Sequence, residues 1–292
     1  MIREYIKMIS SFSNLINLES AKSWSGIDFE DTEPKIVKDY LLSANVGVDY
    51  MNDKIARAVS ASGAYELKFA SIYCHQKPRI IRTAQSIGAC LGSTKACELG
   101  DLMIIFLLLD QTKKIVYSSA KLMQAKKNDV LDSFSQQCLY DSDLDFNAPA
   151  NLISHSTCVT PLRFLPDYHQ DRNKALAYLI LQNSLPYVKM IPSSTGIQCS
   201  WSTDLQMLLE LKTGLSFSPP KNSTDNSWNC IVNDLMNIGT GIVPSSIGRG
   251  SGVDYIVNAF NDYDYYPEYK KEFDYTGIPK MIVICKDKER RL

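Results

Sequence analysis

The chain has only three histidines in 292 residues, no CxxC pair among its eight cysteines, and no apolar run longer than Leu102–Leu109. Scarce histidine and irregular cysteine spacing argue against a zinc ribbon and against a secreted disulfide framework. Eight apolar residues are far too few to span a bilayer as a helix. Arg3, Glu4 and Lys7 interrupt the opening apolar stretch, so no signal peptide is expected and the cytoplasm is the expected compartment. The glycine- and serine-rich stretch 239–252 lacks GxxxxGK[ST], which excludes a phosphate loop of that kind. Internal repeats and low-complexity tracts are also missing.

Net charge is nearly absent too, at −1, but the sum conceals an uneven distribution. Residues 1–50 carry five Lys/Arg against eight Asp/Glu, a balance of −3; residues 51–130 carry twelve against six, or +6. Residues 131–292 carry fourteen against eighteen, or −4. A local basic field attracts polyanions and neutralises phosphates on contact. A solvated mixed-charge surface is the plainer explanation of the same count. Hydrophobic content of 45% and charged content of 22% are those of a globular chain with room for one sizeable core.

Helical spacing opens the chain through Ile2, Tyr5, Ile6, Ile9, Phe12, Leu15 and Ile16. An acidic loop follows, then Thr32 as N-cap, Pro34 in the first turn, and Ile36, Val37, Tyr40 and Leu41 on a buried face. A further helix is predicted from Asn52 to about Cys74, interrupted at Gly63. Helices are also predicted over 129–140, 204–211 and 228–236, with an apolar run at 175–181 and a short buried strand, Met-Ile-Val-Ile-Cys, enclosed by Lys280 and Lys286. A soft boundary near residue 150 divides the chain into an N-terminal helical segment (1–50), a core (51–150) and a C-terminal α+β region (151–292).

The segment 97–127 carries the chemistry. Leu102 to Leu109 is rich in strand-forming residues, Asp110 to Lys114 has turn composition, and Ile115 to Lys126 is a second extended run. A two-residue turn at Lys113 and Lys114 would set Asp101 opposite Lys126 and Met103 opposite Gln124. Gln124 and Lys126 then share a face, and Asp101 lies within a few ångströms of the lysine. Mg²⁺, with Mn²⁺ as a substitute, is held by oxygen ligands and keeps several waters. Asp101, with Glu66 or Glu98, would supply the charge, and Gln124 a neutral oxygen. Lys126 would orient the nucleophile or offset developing charge. The basic cluster of Lys77, Arg79 and Arg82, together with Lys127, is the candidate nucleic-acid contact. His75 is a weaker candidate for a base or ligand.

Gly100-Asp101 followed by Gln124-Ala125-Lys126 on the next strand resembles the PD-(D/E)XK nuclease pattern over roughly residues 55–140. There an aspartate begins one strand and an acid-x-lysine triplet lies on its antiparallel neighbour. Gly100 stands in place of the proline. Gln124 replaces the acid, as in Mrr-like restriction enzymes. The resemblance implies an α/β restriction-endonuclease-like core, a mixed sheet flanked by helices, and a glutamate on a preceding helix. Glu66 is given that role, with Glu98 as its rival. It further implies a Mg²⁺-dependent DNA endonuclease of a restriction or phage-defence system, with activity dependent on a partner or signal. Residues 151–292 would supply recognition, dimerisation or docking to a defence-system protein, with no membrane partner. Two other readings stay open: a catalytically degenerate nuclease-fold subunit that binds or assembles, and a structural hairpin whose Asp101–Lys126 pair contributes at most about 1 kcal/mol.

Overall fold

The computed structural model describes residues 1–154, 156, 158, 160–182, 185–218, 226–240 and 270–288. His155, the tyrosine- and aspartate-rich 261–269 stretch and most of the 239–252 stretch lie outside them. In chain order the helices are α1 Ile2–Ser11, α2 Ser13–Lys22, α3 Glu33–Leu42, α4 Gly47–Met51 and α5 Arg57–Ala61, the last two joined by one π-helical turn at Asn52–Ala56. Then come α6 Ala84–Ala89, α7 Phe134–Asp141, α8 Ala150–Ile153, α9 Arg172–Ala175, α10 Trp201–Leu209 and α11 Trp228–Thr240. The strands are β1 Tyr65–Gln76, β2 Arg79–Arg82, β3 Ala96–Glu98, β4 Leu102–Leu109, β5 Ile115–Lys126, β6 Asp145–Asn147 and β7 Leu162–Phe164. They continue with β8 Leu176–Ile180, β9 Tyr187–Lys189, β10 Gln198–Ser200, β11 Leu215–Ser216, β12 Lys270–Thr276 and β13 Lys280–Asp287.

The fold is α/β, built on a mixed sheet in the order β10-β9-β8-β5-β4-β13-β1-β12, with β11 added to β5. All eight residues of β4 are buried, as an uninterrupted apolar run predicts for a strand covered on both faces. One face packs Leu102, Ile104, Phe106 and Leu108 against the N-terminal helices and α10. The other packs Met103, Ile105 and Leu107 towards α7 and α11. A small second sheet, β3-β2-β6-β7, lies on that second side. Strands from both sides of residue 150 are hydrogen-bonded into the main sheet: β5 pairs in parallel with β8, and β4 in parallel with β13.

The helix predicted over 52–74 ends early. Gly63, at φ +85°, terminates the helical run, and Tyr65, Leu67 and Phe69 then alternate inward along β1. Their period of two was present in the sequence but overlapped the helical spacing of the preceding turn. The opening helix is likewise two helices, broken at Phe12. Cysteine spacing was also a poor guide. Cys90 is bonded to Cys138, and Cys158 to Cys230, across 48 and 72 residues.

Arg82, expected to touch nucleic acid, is a framework residue. It is 1% exposed, and its guanidinium makes a two-pronged contact with Asp143 through Nε and Nη2 and donates to the Ser86 carbonyl at 3.1 Å. The pair ties β2 to the loop after α7. Removing one partner strands a buried charge, a loss of about 3–5 kcal/mol. Arg82→Ala is therefore expected to lower the unfolding free energy, measured by urea titration, by that amount. A stability change under 1 kcal/mol would show that the pair is dispensable.

Candidate functional site

The hairpin forms over the predicted residues, but its register differs. Leu102 lies opposite Met123 and Met103 opposite Leu122, so Asp101 falls level with Gln124 rather than Lys126. The reason is the turn. Asp110 Oδ1 accepts the Thr112 and Lys114 amides at 2.8 and 2.9 Å, and Lys113 adopts φ +69°. A five-residue loop with a bulge at Leu108/Leu109 replaces the two-residue turn. The offset is two residues, an even number, so Asp101, Gln124 and Lys126 still point to one face.

Two backbone contacts lock Asp101 to β5. Its amide donates to the Met123 carbonyl and its Oδ2 accepts the Ala125 amide, both at 2.8 Å. Gly100 allows this approach, because a Cβ there would lie 2.7 Å from Leu122 Cδ1 and 3.2 Å from the Tyr140 hydroxyl. The remaining oxygen, Oδ1, accepts a short hydrogen bond from Lys77 Nζ. The expected Asp101–Lys126 pair is not formed. Lys126 Nζ instead donates to Gln136 Oε1 at 2.9 Å and contacts Asp132 Oδ1 at 2.8 Å. Asp101 and Lys126 are 5% and 7% exposed, so the expected surface ion pair is replaced by separate contacts of two buried side chains with other partners.

Glu33 is the site residue that sequence reasoning missed. It stands in the first turn of α3, and its Oε1 accepts the Lys127 amide at 2.9 Å. Burial raises its carboxyl pKa; the Lys127 amide and Lys126 pull it down, while Asp101 and Asp132 push it up. Glu33 thus feels the charges of Asp101 and Lys126 from its contact with the end of β5. Nothing local marks it, because an acid in a first helical turn is ordinary and its partners lie far along the chain.

Lys77 was expected at a phosphate, yet it lies inside the acidic cluster. Besides Asp101, its Nζ is 3.7 Å from Glu98 Oε2. Burial opposes its charge, but Asp101, Glu98 and Glu33 together hold its pKa above the ordinary lysine value. The carboxylate of Asp132 is held below its usual range by the hydrogen bond from Lys126. Lys127 is tied down as well, its Nζ donating to the Glu30 carbonyl at 2.9 Å. Arg79 remains on the surface, opposite Glu98 in the small sheet.

Glu66 does not belong to the site. It lies on β1, not on a helix, paired with Lys68 at 2.9 Å. Its cross-strand neighbour Lys286 is level with Leu109, eight residues along the sheet from Asp101. At about 3.3 Å per residue that is roughly 26 Å away. His75 is also outside, its Nε2 at 2.5 Å from Glu272 Oε1.

The donors suit a hard divalent cation. Glu98 and Asp101 offer carboxylate oxygens to the same ammonium, that of Lys77. Gln124 adds an independent sign. Its Nε2 donates to the Glu98 carbonyl at 3.1 Å, which fixes the amide orientation, and its fully buried Oε1 has no hydrogen-bond partner. A buried, unpaired acceptor costs about 1–3 kcal/mol unless something fills it. An all-oxygen set fits Mg²⁺ or Mn²⁺.

Comparison with known proteins brings no relative to this geometry: no family model, no curated protein and no solved structure matches the chain.

The neighbours of Glu33 set the sign of two shifts. In carboxyl ¹³C NMR titrations Glu33 is expected to titrate above the usual glutamate range. Lys126→Met should raise its pKa further, and Asp101→Asn should lower it. Shifts in the opposite directions would separate Glu33 from the cluster.

Proposed function

We propose that the chain is a metal-dependent nuclease of restriction-endonuclease-like architecture that hydrolyses phosphodiester bonds in DNA, in the manner of a restriction or phage-defence effector. The observation that carries this reading is the placing of Asp101, the unpaired Gln124 Oε1 and Lys126 on one face at the end of the sheet, with Glu98 sharing the Lys77 ammonium with Asp101. A glutamate at the start of a preceding helix, an aspartate before one strand and Gln-x-Lys on the next all support it. Asp101, Glu98 and Gln124 would hold Mg²⁺, with Mn²⁺ as a substitute. When bound, such an ion polarises the phosphate and lowers the pKa of a coordinated water.

The chain's own groups supply the rest. Glu33 keeps one carboxylate oxygen committed to the Lys127 amide, leaving Oε2 to accept a proton from the attacking water. Its raised pKa brings it closer to neutral pH, where a general base is most effective. The Lys126 ammonium, fixed by Gln136 and Asp132, offsets charge gathering on the phosphoryl oxygens. Exposed Arg79, near Glu98, offers a phosphate contact at the rim.

Two observations favour a second reading, a nuclease-fold subunit that binds DNA without cutting it. Lys77 already partners Asp101, and Gln124 contributes no charge. Supercoiled plasmid incubated with Mg²⁺ or Mn²⁺ separates the two. Cutting should vanish with chelator and fall about 100-fold or more in Asp101→Ala and Lys126→Ala. Cutting that persists in both variants would remove the site from the chemistry. Salt-dependent DNA binding by the purified chain with no cutting, in either metal, would establish the binding subunit.

A further inference from the structure

A second group of ligating side chains lies outside the hairpin site and is independent of the nuclease reading. Cys230 and Asp234 are one turn apart on α11, so they share a face of that helix. Cys158, from the segment before β7, meets them there. One sulfur from each cysteine and one oxygen of Asp234 all lie within 4.8 Å of one another. All three residues are buried, and Cys230 Sγ is 3.5 Å from Asp234 Oδ2. Arg163 on β7 donates to the same Oδ2 through Nε at 2.9 Å. Oδ1 is buried and has no hydrogen-bond partner among the described residues. Burial pushes the Asp234 carboxyl pKa up, against the pull of Arg163 and Ser156, and a further cation would offset that desolvation. The Cys90–Cys138 pair differs, since among the described residues no acid or histidine joins it in such a group.

We propose that the reduced chain binds one Zn²⁺ through Cys158, Cys230 and the Asp234 carboxylate, with water completing the tetrahedron, and that the Cys158–Cys230 disulfide is the metal-free form of the same site. Two thiolates and a carboxylate are a donor set for zinc, not for the hard ion of an all-oxygen site. The charges balance without solvent. Two thiolates and Asp234 carry −3, and Arg163 with a divalent ion carries +3. Each thiol gives its proton to solvent as the ion binds. Sulfurs on one tetrahedral zinc are roughly 3.8 Å apart, and Cα atoms 6.7 Å apart span that by side-chain rotation. Passing from the zinc form to the disulfide needs an oxidant of the peroxide class. The peroxide takes two electrons from the sulfurs and two protons from solvent and leaves as two waters, while the sulfurs join and the ion departs. Either link ties α11 to the segment before β7 across 72 residues, so the zinc form keeps that connection where disulfides are reduced.

Co²⁺ added to the full-length chain, purified and kept in a phosphine reductant, tests the site. Thiolate-to-cobalt charge transfer and intense tetrahedral d–d absorption should saturate at one equivalent, and Zn²⁺ should bleach both. An all-oxygen site gives no such charge transfer, so the result is separate from the fate of the nuclease reading. The charge-transfer band should vanish in Cys158→Ser/Cys230→Ser and persist in Cys199→Ser, and Asp234→Asn should bind Co²⁺ at least tenfold more weakly. No band in the unsubstituted reduced chain, or a band that survives the double serine variant, overturns the proposal. Should those variants fail to fold, the unsubstituted protein decides. Hydrogen peroxide added to the zinc-loaded chain should release one Zn²⁺ per chain in step with the Cys158–Cys230-linked peptide seen by mass spectrometry. Release without that peptide, or the peptide without release, overturns the site.

Discussion

Eight consecutive residues with no exposed side chain impose the organising constraint on this molecule. The strand Leu102–Leu109 must be paired on both edges and covered on both faces, because an apolar strand left open to water forfeits its burial energy and invites aggregation. The chain meets that demand from distant places. Ile115–Lys126 pairs with one edge, Lys280–Asp287 with the other, N-terminal helices cover one face, and the Phe134–Asp141 and Trp228–Thr240 helices lie on the opposite side. The candidate site lies at the end of the same strand where Gly100 and Asp101 enter it.

That position explains the electrostatics. At the mouth of a fully buried strand Asp101 and Lys126 are themselves nearly buried, so each of these charges needs a partner. Asp101 has Lys77; Lys126 has Gln136 and Asp132; Glu33 has the Lys127 amide. Farther out the same logic gives structural pairs: Arg82 with Asp143, Lys121 with Asp204, and Arg163 with Asp234. The site differs from these pairs in setting two carboxylates, Glu98 and Asp101, against one ammonium, with the unpaired Gln124 Oε1 on the same face as Asp101.

How much of the site was legible depended on sequence distance. Asp101, Gln124 and Lys126 sit on adjacent strands of a hairpin, and the alternation of side chains was enough to place them on one face. The pairing partner was not legible. It depended on Asp110 folding back onto two amides of the turn, a local contact that moved the register by two residues. Glu66 failed because helical and strand periods overlap around Gly63. Glu33 was invisible because its membership depends on a helix crossing the end of the sheet, and Arg82 read as a surface cation because its partner lies 61 residues away.

By itself, then, the sequence determined what short-range physics controls: the buried central strand, the hairpin, the Thr32 to Pro34 helix start, and the face shared by an acid, an amide and a lysine. No described helix is long and apolar enough to cross a membrane, in keeping with the short apolar runs. Only the tertiary structure decided which charges meet. Lys77 rather than Lys126 reaches Asp101, and Glu33 rather than Glu66 reaches the end of the Gln-x-Lys strand. Those choices are made by loop length, strand order and the packing of helices across a sheet, where residues far apart in the chain compete for the same few ångströms.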